Sequence, residues 1–190
     1  MRAIFVGAVM AASLHITPTV ILVKRTDAVV QLLPGADQFF ARELHLSAAD
    51  AHRLHMAVDW SPGDGVLTFY TGKHAGTDVG ALTFVRVDTP HGPIEVAVSF
   101  GPDRTIRGVV VTKATVETKS WVVEALNAGL TDQYRGLKPG DSPAGATAIK
   151  GRVGDLAAYI AQEIDKGVRR ALVSFGDFYV NGGETRSRPG

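Results

Sequence analysis

Between Val66 and Thr112 the chain runs through four short stretches in which β-branched, aromatic and other apolar residues recur against polar ones: Val66–Thr71, Ala81–Val87, Ile94–Phe100 and Ile106–Thr112. Such alternation suits strands, because successive side chains of a strand point to opposite faces. Gly, Asp and Pro punctuate the stretches at Lys73–Gly76, Thr89–Pro93 and Gly101–Arg104, leaving no room for a helix between them. The spacing predicts an antiparallel meander and argues against βαβ units; neither a GxGxxG nor a Walker motif is present. On either side the period changes. Ser47 is a good N-cap for a helix over Ala48–Met56, with Asp50 three residues on in the place of a capping-box carboxylate. Trp121, Val122, Ala125, Leu126 and Leu130 form an apolar stripe that predicts a helix over Ser120–Gln133. Val153, Leu156, Ile160, Ile164 and Val168 recur every three to four residues and predict one long amphipathic helix from about Ala148 to Leu172, weakened locally by Gly151, Gly154 and Gly167. Between Asp27 and Leu46 two short apolar runs flank a turn signal at Pro34–Gly35. The expected fold class is α+β, a twisted antiparallel sheet packed with helices.

The first residues stand apart. Ala3–Val23 carries no formal charge and is just long enough, as a helix, to cross a bilayer. Three expectations fit it: an uncleaved signal anchor, a secretory signal with Ala3–Met10 as its apolar part and a cleavage site at Ala11–Ser13, or a buried strand, a turn at Pro18 and a second strand. The anchor is the preferred reading. It divides the chain into an N-terminal segment (1–25), a folded domain (26–180) and a disordered tail (181–190), and puts residues 3–23 in the membrane.

Composition narrows the chemistry. At 190 residues, with 45% hydrophobic and 21% charged, the chain can bury a core and is not disordered overall. Its basic residues are scattered, so nucleic acid is discarded as a partner. Cysteine is absent, which excludes disulfides, thiolate metal sites and iron–sulfur ligation; redox chemistry would need an organic cofactor or haem. No Gly-x-Ser-x-Gly and no His-Glu-x-x-His is present, so side-chain catalysis is not indicated.

Just before the long helix stands Asp141-Ser142-Pro143-Ala144-Gly145-Ala146-Thr147, followed by Ala148. The stretch resembles the flavinylation signal of the FMN-binding domain family, an Asp, two variable residues, usually Ser or Thr, then Gly-Ala-Thr or Gly-Ala-Ser. Gly80–Thr112 looks like that family's paired strands, and Glu117-Thr118 falls where members carry a Glu-Thr pair near the flavin. The likeness extends over about Val66–Leu172. Members such as the G subunit of Rnf complexes and the C subunit of sodium-translocating NADH:quinone reductase are covalent flavoproteins, in which a flavin transferase moves FMN from FAD onto the last residue of the signal.

The resemblance therefore implies covalent FMN as a phosphoester on Thr147, with Asp141, Ala144, Gly145, Ala146 and Ala148 around the attachment point and Glu117 and Thr118 near the flavin. It also implies a flavin transferase for maturation, electron relay in a bacterial redox chain, redox partner proteins or a membrane complex, and a location on the extracytoplasmic (periplasmic) face of the inner membrane. A phosphate on Thr147 would meet the N-terminus of the helix that follows, where free N–H groups and the dipole favour an anion. Gly145 would allow close approach, and Lys150 and Arg152 would offset its charge. The plain alternative for the same residues is a loop with Thr147 as capping hydroxyl. Two departures matter: Lys119-Ser120-Trp121 replaces the family's usual Pro-Gly-Leu-Gly after Glu-Thr, and Ala144 replaces a hydroxyl-bearing residue. They keep two rivals in view, a structural or assembly subunit of a membrane redox or photosynthetic complex with or without flavin, and a soluble reductase holding FMN non-covalently. Trp121 and Tyr134 are assigned to the core, His45, His52 and His55 to solvent, and His91 to a turn.

Overall fold

The structure, a computed structural model, describes residues 17–181. Its centre is a six-stranded antiparallel sheet: β1 (Thr19–Ile21), β2 (Gln38–His45), β3 (Val66–His74), β4 (Thr77–Val87), β5 (Ile94–Phe100) and β6 (Ile106–Thr115), in the order β1-β6-β5-β4-β3-β2. From β2 to β6 the strands are neighbours in sequence order, so the meander expected from the punctuation is present and extends one strand further, to β2. The short β1 reaches the opposite edge and pairs with β6, Val20 facing Ala114.

Helices cover both faces. α1 (Arg25–Leu32) lies on one, where Ala28, Leu32 and Leu33 pack on Leu82 and Ala97. On the other face lie α2 (Ala48–Val58), α3 (Lys119–Asn127), the five-residue α4 (Gly145–Ile149) and α5 (Asp155–Ser174), around a larger core that includes Phe69, Val96, Phe100, Ile160, Ile164 and Val168. Every residue of β5 is buried, as a central strand covered on both faces must be. Its alternation then assigns partners: Val96, Val98 and Phe100 belong to the α5 side, while Glu95, Ala97 and Ser99 face the α1 side.

Ser47 caps α2 as its position predicts, its side chain accepting from the Asp50 N–H at 3.1 Å. The apolar run that follows Arg25 forms the helix α1, its buried residues Ala28 and Leu32 meeting the sheet. Two expectations are corrected. The helix predicted to run to Gln133 ends at Asn127 and passes, through Gly129 at φ +80°, into a 3₁₀ turn at Thr131–Tyr134. The single helix predicted from Ala148 is two, because Gly151 at φ +85° reverses the backbone and Gly154 starts α5 afresh. A π-helical turn, Phe175–Val180, follows α5.

The apolar N-terminal segment does not continue as one element to Val23. Thr19–Ile21 is a strand of the sheet, and the N–H groups of Leu22 and Val23 both donate to the Thr112 carbonyl. Residues 3–16 of that expectation, and nearly all of the expected tail, lie outside the described residues. Among the described residues no helix is long and apolar enough to cross a membrane.

Candidate cofactor-attachment site

The segment leading to α4 is built from short turns. Asp141 closes the first: its Oδ2 accepts from the Lys138 N–H at 2.9 Å while its own N–H donates to the Lys138 carbonyl at 2.9 Å. Ala144 stands at the N-cap of α4, where its carbonyl accepts from the Ala148 N–H at 3.0 Å. With a methyl group it has nothing to offer the free N–H groups that follow, and these are satisfied from elsewhere in the chain. Asp165, on α5, accepts from the Gly145 N–H through Oδ1 and from the Ala146 N–H through Oδ2, both at 3.1 Å. The Tyr134 hydroxyl donates to Oδ1 at 2.8 Å.

Burial pushes the Asp165 carboxyl above the usual aspartate range, although the hydrogen bonds from Tyr134, Ala146 and Gly145 each work against the shift. Tyr134 is fully buried, and burial together with the neighbouring Asp165 charge holds its phenol well above its ordinary value. The side chain assigned to the core stripe is in the core, with its one polar atom bonded to Asp165.

Gly145 has a packing role. A Cβ there would come within 2.8 Å of Leu130 Cδ1 and of two ring atoms of Tyr134. Ala146 and Ile149 are buried, whereas Ala144, Thr147 and Ala148 are exposed. α4 therefore lies flat against α5 and the Tyr134 turn, with Thr147 on its outer side. The Thr147 hydroxyl has no hydrogen-bond partner among the described residues. It does not cap a helix, being the third residue of α4, and it does not stand at the start of the long helix. The picture of a phosphate received by free N–H groups at a helix mouth is corrected accordingly: the first two N–H groups of α4 already hold a carboxylate. Of the two basic residues expected nearby, Arg152 reaches back to α4, its Nη2 donating to the Ala148 carbonyl at 3.0 Å, and Lys150 is exposed just beyond it.

Glu117 and Thr118 lie in the turn between β6 and α3 and do different things. Thr118 is buried and exchanges hydrogen bonds with Thr115: its hydroxyl accepts from the Thr115 N–H at 3.1 Å, and its own N–H donates to Thr115 Oγ1 at 3.2 Å. Glu117 points outward and bonds His91 Nδ1 at 2.7 Å, both side chains remaining partly exposed. The imidazole meets the edge of Trp121 at 5.0 Å between centroids and of Tyr159, on the second turn of α5, at 5.8 Å. Four separate segments thus assemble a half-exposed aromatic surface around one His91–Glu117 contact, with Val116 and Leu156 exposed in the same turn and the same helix. α3 is fixed to the start of α5 by Glu124, whose Oε1 accepts from the Gly154 N–H at 2.7 Å.

The predicted residues thus form two groups. Asp141, Ala144, Gly145, Ala146, Thr147 and Ala148 are together by sequence; Glu117 and Thr118 belong to the second group. α5 touches both, since Asp165 serves the first and Tyr159 the second, six residues or about 9 Å of helix apart. Asp165, His91 and Tyr159 carry no signal at sequence level. An Asp twenty residues after a Gly-Ala pair, on a helix surface, reads as solvated, and a His between Pro and Gly reads as turn. No family model matches the chain, and no curated protein matches it.

Proposed function

We propose that this chain is an electron-transfer flavoprotein that carries FMN as a phosphoester on Thr147 and relays electrons to partners in a membrane-bound redox chain. The observation that carries the reading is the state of that hydroxyl: within a seven-residue stretch resembling a flavinylation signal, Thr147 is exposed and unpartnered on a helix whose other contacts are buried or hydrogen-bonded. A side chain with no structural duty, offered to solvent from a fixed base, suits an acceptor of group transfer.

In the reaction, Thr147 Oγ1 would form a bond to the flavin-side phosphorus of FAD as the pyrophosphate bond breaks. AMP leaves, and the hydroxyl proton passes to a base of the flavin transferase. Asp165 would keep the helix N-terminus closed, so the new phosphate is left to solvent and to Arg152 and Lys150. The half-exposed surface of His91, Trp121 and Tyr159 beside Glu117 would receive the ring. FMN, when bound, supplies one- and two-electron exchange; the protein's part is to fix its position and tune its potential through hydrogen bonds and local charge.

Maturation by a flavin transferase puts the domain outside the cytoplasm, on the periplasmic side of the inner membrane. The sheet takes up Thr19–Ile21, so the apolar segment does not run on as one spanning element to Val23. Attachment to the membrane would come through the N-terminal segment or through a partner complex.

A second reading has its own support. Asp165 on the α4 N–H groups and the methyl of Ala144 are what a flavin-free structural or assembly subunit of the same fold would tolerate. Co-production with a flavin transferase separates the two. A fluorescent band on a denaturing gel that vanishes in Thr147→Ala supports the tether, and a dark band from the wild-type chain with an active transferase favours the subunit.

A further inference from the structure

Deepening the tether reading, on which this inference rests, we infer that Asp165 is a positioning residue for modification at Thr147: it fixes the attitude of α4 and keeps the incoming phosphate off that helix's N-terminus. Five residues do not hold a helix by themselves, since nucleation is unfavourable and there are few bonds to offset it. α4 persists because it is held from three sides. Ile149 and Ala146 are buried beneath it, the Tyr134 ring stands against Gly145, and both carboxylate oxygens of Asp165 take its first two N–H groups.

The third contact is the directional one. Apolar burial allows a short helix to roll or slide, whereas two hydrogen bonds from successive N–H groups to one carboxylate fix both its axis and its rotation, and the rotation decides where the Thr147 hydroxyl points. The same two bonds determine where a phosphate cannot go. Free N–H groups at the start of α4 would compete for it, and a carboxylate already seated there turns it away by occupation and by charge. The product is left facing outward, on the side where Arg152 bonds the end of α4.

The test uses the full chain co-produced with a flavin transferase, and compares Asp165→Ala, Asp165→Asn and Leu32→Ala. Leu32 belongs to the core on the opposite face of the sheet and supplies a loss of stability without touching α4. Two quantities are read: the initial rate of FMN incorporation by intact mass, and hydrogen exchange of the amides in residues 144–149. The expected result is a loss of incorporation of at least tenfold in Asp165→Ala with fast exchange confined to α4, a smaller loss in Asp165→Asn, which keeps one acceptor oxygen, and wild-type values of both in Leu32→Ala. A folded Asp165 variant that incorporates FMN at the wild-type rate overturns the inference. So does an equal loss in Leu32→Ala, which would reduce the effect to general stability. If the wild-type chain takes up no FMN, the tether reading falls and exchange alone judges Asp165: local deprotection in its variants supports the clamp, and unchanged α4 amides overturn it.

Discussion

Glu95 and Asp165 each fasten a short helix to the body of the protein, on opposite faces of the sheet, and they do so with different chemistry. Glu95, on β5, is held by cations: Arg25 at the start of α1 donates two hydrogen bonds to it, Lys113 approaches to 3.4 Å, and the buried Thr112 hydroxyl donates at 2.8 Å. Burial alone would raise its pKa, but the bonds from Arg25 and Thr112 and the charges of Arg25 and Lys113 bring it below the ordinary range. Asp165 is held by two backbone N–H groups and a phenol, all neutral, and its pKa is raised. The first carboxylate sits where its charge is welcome. The second sits where burial makes its charge costly. Glu95 thus holds α1 with a charge its surroundings favour, and Asp165 holds α4 with a charge its surroundings do not.

The largest effect expected is at Glu95. Glu95→Ala strands Arg25 and weakens the hold on the buried Thr112 hydroxyl; we expect a loss of about 3 kcal/mol in denaturant unfolding, at the low end for a broken buried pair because both cations reach solvent. A loss well under 1 kcal/mol would remove the distinction between the two sites. Gly145→Ala comes next. Its methyl meets Leu130 and Tyr134 at 2.8 Å and should cost about 2 kcal/mol by overpacking, with α4 displaced. Normal stability with unchanged α4 exchange would contradict the packing role of this glycine.

Tyr134→Phe removes one donor from Asp165 and keeps the ring in the core, so about 1 kcal/mol is expected. The smallest effect is in the pH dependence, where the two sites have opposite signs. The folded pKa of Glu95 is lowered, so its contribution is complete above about pH 4.3 and is lost as pH falls through the folded value. The folded pKa of Asp165 is raised, so its ionised form weakens the fold and the penalty fades as pH falls through that value toward about 3.9. Unfolding free energies between about pH 7 and pH 3 should therefore fall less steeply in Glu95→Gln and more steeply in Asp165→Asn than in the wild type. Parallel curves for all three would contradict the assignment.

Much of the fold was legible because it rests on periodicity. The strands β3 to β6 announce themselves by alternation and turn residues, and α2 by its cap. α5 shows in its stripe, although the break at Gly151 was weighed there as a weak spot and proves to be a reversal. What was hidden depends on contacts between distant residues. β1 is three residues long and is defined by its pairing with β6; α1 is an apolar run that becomes a helix because the sheet offers it one face. The stretch Asp141–Thr147 stands out in the sequence only by resemblance, and the clamp on its helix does not show there at all, since Asp165 lies twenty residues beyond Gly145. Likewise Trp121 reads as core until His91 and Tyr159 are seen to share its exposed edge.

The account stands on the Thr147 hydroxyl, and the mass of the mature chain tests it most directly. Purified from cells with an active flavin transferase, the protein should exceed its polypeptide mass by one FMN less one water. The excess should lie on the peptide containing Thr147, and Thr147→Ala should lack it while keeping wild-type stability within about 0.5 kcal/mol. A mature wild-type chain of polypeptide mass alone, colourless and with Thr147 unmodified, would contradict the account.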